Sequence, residues 1–111
     1  MRRSLALGGL EPVDPNSPKI QEVSAWAVNQ YNKEQGESLK FVRALDAKKQ
    51  LVNGMNYYIV LEATSDGLPS PDPYLRNNFS VKVYEQASTD TLELLEFKPL
   101  LQENARIAIP N

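Results

Sequence analysis

Residues 39–64 read LKFVRALDAKKQLVNGMNYYIVLEAT, and this stretch decides the fold that the rest of the chain can adopt. Apolar and polar residues alternate on both sides of the short segment Gln50-Leu51-Val52-Asn53-Gly54, as they do in strands with one buried face. The Asn-Gly pair is typical of a type I′ turn between two antiparallel strands. The stretch therefore predicts a β-hairpin with strands over 39–49 and 55–64 and its tip at Gln50–Gly54.

The alternation also assigns the faces of the two strands. Polar side chains such as Lys40, Asp46 and Lys48 fall on one side, and Arg43 interrupts the pattern in the first strand. Such a pattern is expected where one face is buried and the other is solvated. The positions expected to face the core are Leu39, Phe41, Leu45, Ala47, Tyr57, Ile59, Leu61 and Ala63.

An amphipathic helix precedes the hairpin. We expect it to begin at Pro18, because the Ser17 hydroxyl can cap it and proline fits the first helical position. It should run to about Gln35, because Gly36 is a natural helix stop. Trp26 lies outside its apolar stripe. The stripe, which should cover a sheet, consists of Ile20, Val23, Ser24, Ala27, Val28 and Tyr31, while Glu22, Asn29, Asn32 and Lys33 point away.

Two more strands follow the hairpin. Glycine at Gly67 and three prolines predict a long irregular loop over residues 64–78. Residues 79–84 alternate as a third strand, residues 85–90 form a polar turn, and residues 91–99 supply a fourth strand whose apolar residues are Leu92, Leu94, Leu95 and Phe97. The chain is therefore of the α+β class. One helix packs across a four- to five-stranded antiparallel sheet, in which a short strand from the trunk would be the fifth.

The composition excludes several classes of site. The chain has no Cys and no His, so it lacks a thiolate nucleophile, the usual zinc ligands and the commonest general base. Its carboxylates are scattered over polar faces and turns, and nothing selects a catalytic pair. A net charge of −2 gives no reason to expect nucleic acid or an acidic membrane as a partner. We expect no catalytic residue, no metal and no cofactor, and an enzyme is the least favoured class.

The length of 111 residues fits a single domain over residues 1–111. Gly8-Gly9 and two nearby prolines favour an extended, flexible trunk over residues 1–15. At the other end the strand pattern fades into a tail over residues 100–111.

The compartment stays open, and both a secreted and a cytoplasmic location are compatible with the sequence. The first apolar run is shorter than a signal-peptide core, and no run approaches the roughly 20 residues that span a bilayer. Asn78-Phe79-Ser80 fits the N-glycosylation acceptor pattern, which matters only in a secreted chain.

The order of these features resembles that of the cystatins, and in particular the plant cystatins, from Gly8 to Pro99. The shared features are a Gly-Gly trunk, a capped helix, a hairpin with Gln-x-Val-x-Gly and a second hairpin. Residues 23–32, VSAWAVNQYN, look like the helix signature of the plant subfamily, with Trp26 where that subfamily commonly carries an aromatic residue. Gln50–Gly54 matches the first-hairpin motif of the family at its three defining positions.

The resemblance implies a reversible, occluding inhibitor of papain-like cysteine proteases. Such an inhibitor presents a wedge made of the trunk and two hairpin tips at one end of the sheet, and it needs no reactive group. Rigid tips lose little entropy on docking, and glycines permit a close backbone approach. The implied protease-binding residues are Gly8, Gly9, Gln50, Leu51, Val52, Asn53, Gly54, Gln86, Ala87 and Ser88.

The second hairpin departs from the family pattern. It usually carries Pro-Trp, whereas this chain has Ala87-Ser88. Losing a Trp of this kind costs about 2 kcal/mol of binding free energy, so we expect weaker or altered binding. Together with the long loop, this leaves a non-inhibitory binding module, or an inhibitor of another protease class, as the alternative. Opening of the hairpin at Gln50–Gly54 would also permit a domain-swapped dimer.

Overall fold

A single helix and a five-stranded antiparallel sheet make up the computed structural model, which describes residues 8–70 and 77–100. The sheet order is β1-β2-β3-β4-β5, so each strand pairs with its neighbours along the chain. The predicted α+β class is confirmed, and the trunk supplies the fifth strand. In chain order the elements are β1 (Leu10–Pro12), α1 (Pro18–Gln35), β2 (Lys40–Val52), β3 (Gly54–Thr64), β4 (Asn78–Glu85) and β5 (Leu92–Pro99).

Helix α1 covers the inner face of the sheet with the predicted stripe. It ends at Gly36, whose φ of 67° is the left-handed conformation typical of a glycine that terminates a helix. The predicted bounds of the helix are therefore confirmed. The buried residues of the stripe are Ile20, Val23, Ser24, Ala27 and Val28, and Tyr31 is half-buried.

The expected hydroxyl cap at the start of α1 is wrong. Ser17 has the extended backbone of an N-cap residue, but its side chain makes no capping hydrogen bond. The turn before the helix is closed instead by the Ser17 N–H, which donates to the Asp14 carbonyl at 3.0 Å. Gln21 adds a side-chain bond from Nε2 to the Pro15 carbonyl at 2.8 Å. These two contacts hold the loop before the helix in place, but they do not bond the free backbone N–H groups of the first helical turn.

Two helical residues outside the predicted stripe also contact the rest of the fold. Trp26 packs against the edge of the core. Asn32, which was expected to point away, donates to the Leu39 carbonyl at 2.8 Å and accepts from the Leu39 N–H at 3.0 Å. This pair of bonds ties the last turns of the helix to the residue before β2.

In β2, buried and exposed residues do not alternate strictly. The register shifts between Phe41 and Arg43 and again between Ala44 and Asp46, which is the pattern of β-bulges. Ala44 is consequently buried, and the prediction that Leu45 belongs to the core face is wrong. The predicted inner residues that are buried are Ala47, Tyr57, Ile59, Leu61 and Ala63.

Strand β5 contains a similar correction. A register shift at Lys82 and Val83 pairs these residues with Glu96 and Leu94, so Leu95 between them has no partner across β4. Leu95 is exposed, whereas the sequence pattern grouped it with the apolar positions of the strand. Leu92, Leu94 and Phe97 do pack against the core, as expected.

An aromatic cluster closes the core near the end of α1. The ring of Tyr31 stacks on Phe97 with a centroid separation of 4.1 Å, and Phe79 lies 4.9 Å from Phe97. Stacked and tilted pairs at these distances contribute about 0.5–1.5 kcal/mol beyond their buried area. The cluster therefore fastens the helix to β4 and β5.

Several sequence expectations lie outside the described residues. They concern the first seven residues of the trunk, the middle of the 64–78 loop at residues 71–76, and the tail from residue 101 onward. Within the part of the chain that the structure describes, no helix is long and apolar enough to cross a membrane.

Candidate functional site

One end of the sheet gathers the segments that the sequence singled out, and we call this end the rim. Leu10 pairs with Gln50, which brings the trunk to the β2–β3 turn. Met55 pairs with Glu85, so the turn after β4 lies on the other side of the same tip. The rim thus contains all ten predicted site residues: Gly8, Gly9, Gln50, Leu51, Val52, Asn53, Gly54, Gln86, Ala87 and Ser88.

The turn of the first hairpin contains fewer residues than predicted. β2 continues to Val52 and β3 begins at Gly54, so Asn53 alone separates the strands. A type I′ turn needs positive φ at both Asn53 and Gly54, and only Gly54, at 119°, has one, so that turn type is wrong. Leu51 is 43% exposed and Val52 is half-buried. Neither apolar side chain is packed into the core.

Gly54 is required by space as well as by its backbone angle. A Cβ at this position would lie 2.5 Å from the Glu85 carbonyl oxygen and 2.8 Å from Cε1 of Tyr84. The Tyr84 hydroxyl also donates a hydrogen bond to the Asn53 carbonyl. Strand β4 therefore supports the tip from the side through Tyr84 and the Glu85 backbone.

The trunk is bound to the first hairpin at Gly8. The Gly8 N–H donates to the Leu51 carbonyl at 3.1 Å, and Nε2 of Gln50 donates to the Gly8 carbonyl at 2.9 Å. Gly8 has a φ of 87°, which glycine adopts without the strain that a side chain would add. Gly9 is exposed, and a Cβ there would meet no atom within 4 Å.

The second hairpin turns tightly without any large side chain. The Gln86 N–H donates to the Thr91 carbonyl at 2.9 Å, and the Asp90 N–H donates to the Gln86 carbonyl at 3.1 Å. Ala87 and Ser88 are exposed at the outside of this turn. Small residues therefore occupy the place where the family resemblance leads one to expect Pro-Trp.

A groove of about 360 Å³ separates the two hairpin tips. Residues 51–55 line one wall, and residues 85–87 with Asp90 line the other. Because the second tip is small, this groove stays open at the rim.

A hydrogen-bonded trio lies beneath the second hairpin. Nζ of Lys19 lies 2.6 Å from Oε2 of Glu85, and the Tyr57 hydroxyl donates to Oε1 of Glu85 at 3.2 Å. The hydrogen bond to Glu85 raises the pKa of Lys19. Burial, and secondarily the negative charge of Glu85, raises the pKa of Tyr57. The trio links the helix start to the last residue of β4, so the base of the second tip is anchored.

The chemistry available at the rim is that of a binding surface. Its side chains are amides, aliphatic groups and a hydroxyl, which can fill space and form hydrogen bonds. Across residues 8–70 and 77–100, no cluster of three or more His, Cys, Asp or Glu side chains could hold a metal ion. The side chains of the rim are therefore suited to binding through shape and hydrogen bonds.

Sequence reasoning missed the side chains that support the rim. Tyr84 carries the tip of the first hairpin, while Tyr58 and Asn56 bond to the side chain of Gln50. Each is a polar position of an alternating strand, which the period-two pattern assigns only to the solvated face. No signal in the sequence distinguishes these residues from other polar strand residues.

Residues 8–98 match the family model described as the cystatin domain. The chain belongs to the cystatin family. The resemblance drawn from the trunk, helix and hairpin is thereby confirmed, and so is the likeness to plant cystatins, because several of the most similar relatives come from plants.

The plant relatives are similar over most of this cystatin chain. Cysteine proteinase inhibitor 8 of Oryza sativa subsp. japonica is 37% identical over 94 residues, which cover 84% of this chain and 72% of the relative. Cysteine proteinase inhibitor A of Helianthus annuus is 36% identical over 84 residues, which cover 76% of this chain and 94% of the relative. Multicystatin of Solanum tuberosum is 36% identical over 102 residues, but the match spans only 13% of its length.

Solved cystatin structures have the same fold. The salivary cystatin of the soft tick Ornithodoros moubata matches with a TM-score of 0.66 over 84% of this chain and 97% of its own. Dimeric human cystatin F matches with a TM-score of 0.64 over 85% of this chain and 87% of its own. Sequence identity is 16% in both cases, so these likenesses bear on the fold alone.

Proposed function

We propose that this chain is a reversible, occluding inhibitor of papain-like cysteine proteases. The observation that carries the proposal is the meeting of the Gly8 trunk and both hairpin tips at the rim. The names of the rice and sunflower relatives, cysteine proteinase inhibitors, point in the same direction.

The proposed mechanism is exclusion of substrate from the protease cleft. Leu51 and Val52 present apolar surface at the first tip, and removing such surface from water favours binding by about 25 cal/mol per Å² before the entropy cost of association is subtracted. Gly54 is held by β4 and the trunk is held at Gly8, so little conformational freedom remains to be lost on docking. No bond to the catalytic residue of the protease is formed, and inhibition is therefore reversible.

Titration of papain with the purified protein tests the proposal. We expect inhibition at sub-micromolar concentration, and we expect Val52→Asp to weaken it by about 30-fold or more, because a charge would be desolvated in the interface. Leu68→Asp is the matched control. It places the same side chain at an exposed apolar position, 63% exposed, at the end of the sheet opposite the rim. Absence of inhibition at high micromolar concentration would contradict the proposal.

A second candidate is a binding module, or an inhibitor of another protease class, on the same scaffold. The small residues Ala87 and Ser88 at the second tip favour it, as does exposed Leu68 in the loop after β3. This candidate predicts a partner that is retained by Val52→Asp but lost on deletion of residues 69–73. A partner that is lost in Val52→Asp but retained after deletion of residues 69–73 would support the papain-directed function.

A domain-swapped dimer is a further proposal about assembly. β2 and β3 pair along nearly their whole length and are joined through Asn53 alone, so straightening at this position would exchange strands between two copies. Size-exclusion chromatography after heating should then show a dimer fraction that persists on dilution. A monomer peak alone would argue against the exchange.

A further inference from the structure

A chain of side-chain contacts crosses the outer face of the sheet, which is the face opposite the helix. Its centre is the Gln50 amide. Nε2 donates to the Gly8 carbonyl at 2.9 Å, and Oε1 accepts from the Tyr58 hydroxyl at 2.8 Å and from Nδ2 of Asn56 at 3.2 Å. One side chain therefore connects the trunk with β3.

Three partners together set which way the amide faces. The Gly8 carbonyl can only accept and therefore takes the amide nitrogen, while the Tyr58 hydroxyl and Nδ2 of Asn56 donate to the oxygen and hold that orientation. The Tyr58 bond is the shorter of the two. The Tyr58 ring is itself held, since Nζ of Lys82 lies 5.2 Å from its centroid, within cation–π range.

The trunk needs such a support because β1 is weak by itself. It has three residues, all of them exposed, at the edge of the sheet. A strand this short and solvated buries little apolar surface, and its ordering entropy of about 1–2 kcal/mol per residue is poorly offset. Backbone pairing with β2 and the bond from the Gly8 N–H to the Leu51 carbonyl hold this segment, and the side-chain hydrogen bond from Gln50 adds to them at Gly8.

We propose that Tyr58 is a positioning residue for the trunk: it orients Gln50 so that the amide keeps Gly8 in register with the first hairpin. The consequence for affinity rests on the proposed inhibitory function. An ordered trunk enters a protease cleft with less entropy to lose, so loss of the Tyr58 hydroxyl should weaken inhibition mainly through faster dissociation.

The primary test is amide hydrogen exchange at Gly8 in the full chain, followed by NMR. Tyr58→Phe should speed exchange of the Gly8 N–H about three- to tenfold, the change expected when one net hydrogen bond of support is lost. Tyr31→Phe is the matched control, because it removes the same atom from a ring in the aromatic cluster beside Phe97. It should leave exchange at Gly8 unchanged.

A double-mutant cycle separates positioning from a general loss of structure. Gln50→Glu keeps an acceptor for Tyr58 but removes the donor to Gly8, so it should speed Gly8 exchange as well. In that background Tyr58→Phe should have no additional effect. Equal acceleration by Tyr58→Phe in both backgrounds would overturn the proposal, as would unchanged Gly8 exchange in the single variant.

Papain inhibition gives the functional readout. Tyr58→Phe should raise the dissociation constant about three- to tenfold, with the thermal midpoint close to that of the parent chain. If the parent chain does not inhibit papain, the inhibitory function fails, and the exchange experiment still decides the role of Tyr58. If Gly8 exchange accelerates but the dissociation constant does not change, the link from trunk order to affinity is overturned.

Discussion

The two ends of the sheet hold their loops in different ways. At the far end, which we define as Arg43, Glu62 and Thr64–Ser70, the Glu62 carboxylate is fully buried and accepts from Nε of Arg43 at 3.0 Å and from the Ser70 N–H at 3.1 Å. At the rim, the contact of Gln50 with Gly8 lies in solvent, and Leu51 is exposed. One end has a buried charge, and the other has uncovered apolar surface.

The far end is also reinforced by shorter-range contacts. The Thr64 hydroxyl lies 3.0 Å from the Leu68 carbonyl and 3.1 Å from Oδ1 of Asp66, and the Leu68 N–H donates to the same Oδ1 at 3.0 Å. The bond from Leu68, followed by that from Thr64, lowers the pKa of Asp66. These contacts hold the loop after β3 against the outer face of the sheet.

This difference suggests a division between stability and binding. Removing one partner of a buried charge is costly because the remaining groups are left without compensation, whereas exposed ion pairs contribute little to stability. We therefore expect substitutions at the far end to change stability without changing inhibition. Substitutions at the rim should change inhibition, and they should change stability only where backbones are in close contact.

Gly54→Ala should have the largest effect, because it combines crowding with backbone strain at the rim. A Cβ would contact the Glu85 carbonyl at 2.5 Å while φ stays near 119°. We expect a loss of about 3 kcal/mol in the free energy of unfolding, measured with urea, together with weaker papain inhibition. Gly36→Ala is the control, since it changes only the backbone term at a φ of 67° in open space, and it should cost about 1 kcal/mol. Equal losses would mean that β4 moves aside easily.

Glu62→Gln should have the next largest effect, and it tests the far end. A neutral amide has one acceptor oxygen, so its nitrogen would face a donor on either Arg43 or the Ser70 backbone. We expect a loss of about 2 kcal/mol in the free energy of unfolding with papain inhibition unchanged. Asp46→Asn is the control, because the Asp46–Lys48 pair is exposed and should contribute less than about 0.5 kcal/mol. A similar loss in both variants would remove the distinction between the two ends.

Introducing Pro-Trp at the second tip tests whether the affinity of the rim for papain can be raised. Ala87→Pro combined with Ser88→Trp would fill the open groove beside the first hairpin and add apolar contact. We expect the papain dissociation constant to fall about tenfold, or about 1.4 kcal/mol, with little change in stability. Leu68→Trp controls for general adhesion by an added indole. Unchanged affinity would indicate that the second tip does not reach the protease.

The smallest expected effect is a loss of stability in alkaline solution. The pKa values of Tyr57 and Lys19 are both raised in the folded state, so their contribution is complete below their ordinary values of about 10 and decreases as the pH rises through the folded-state values. Tyr57→Phe should therefore flatten the dependence of the free energy of unfolding on pH above about pH 10. A slope in the Tyr57 variant identical to that of the parent chain would contradict the assignment.

Much of the fold was accessible from local pattern. The 3.6-residue spacing from Ile20 to Tyr31 identified the buried stripe of the helix, and alternation from Tyr57 to Ala63 identified the inner face of β3. The errors fall where an extra residue interrupts the period. Bulges around Ala44 and at Leu95 depend on how two strands fit together, and no single strand encodes that fit.

The side-chain contacts of the candidate site were harder to predict from the sequence than its location. The hairpin motif indicated Gln50–Gly54 directly, but the roles of Tyr58 and Tyr84 depend on pairing across strands. A tyrosine on a polar face reads the same whether its hydroxyl meets water or an amide on a neighbouring strand. The burial of Glu62 was missed for the same reason, because the loop that covers it was expected only to be irregular.

The sequence by itself determined the elements of this protein: a helix bounded by Pro18 and Gly36, a long hairpin with its tip within Gln50–Gly54, and two strands after it. These follow from backbone preferences and from periods of apolar residues, which act over a few positions. Only the tertiary structure decided that Gly8 meets the first hairpin, that β4 presses on Gly54 and that Glu62 is enclosed. Those contacts join residues far apart in the chain, and their energies exist only once the strands have paired.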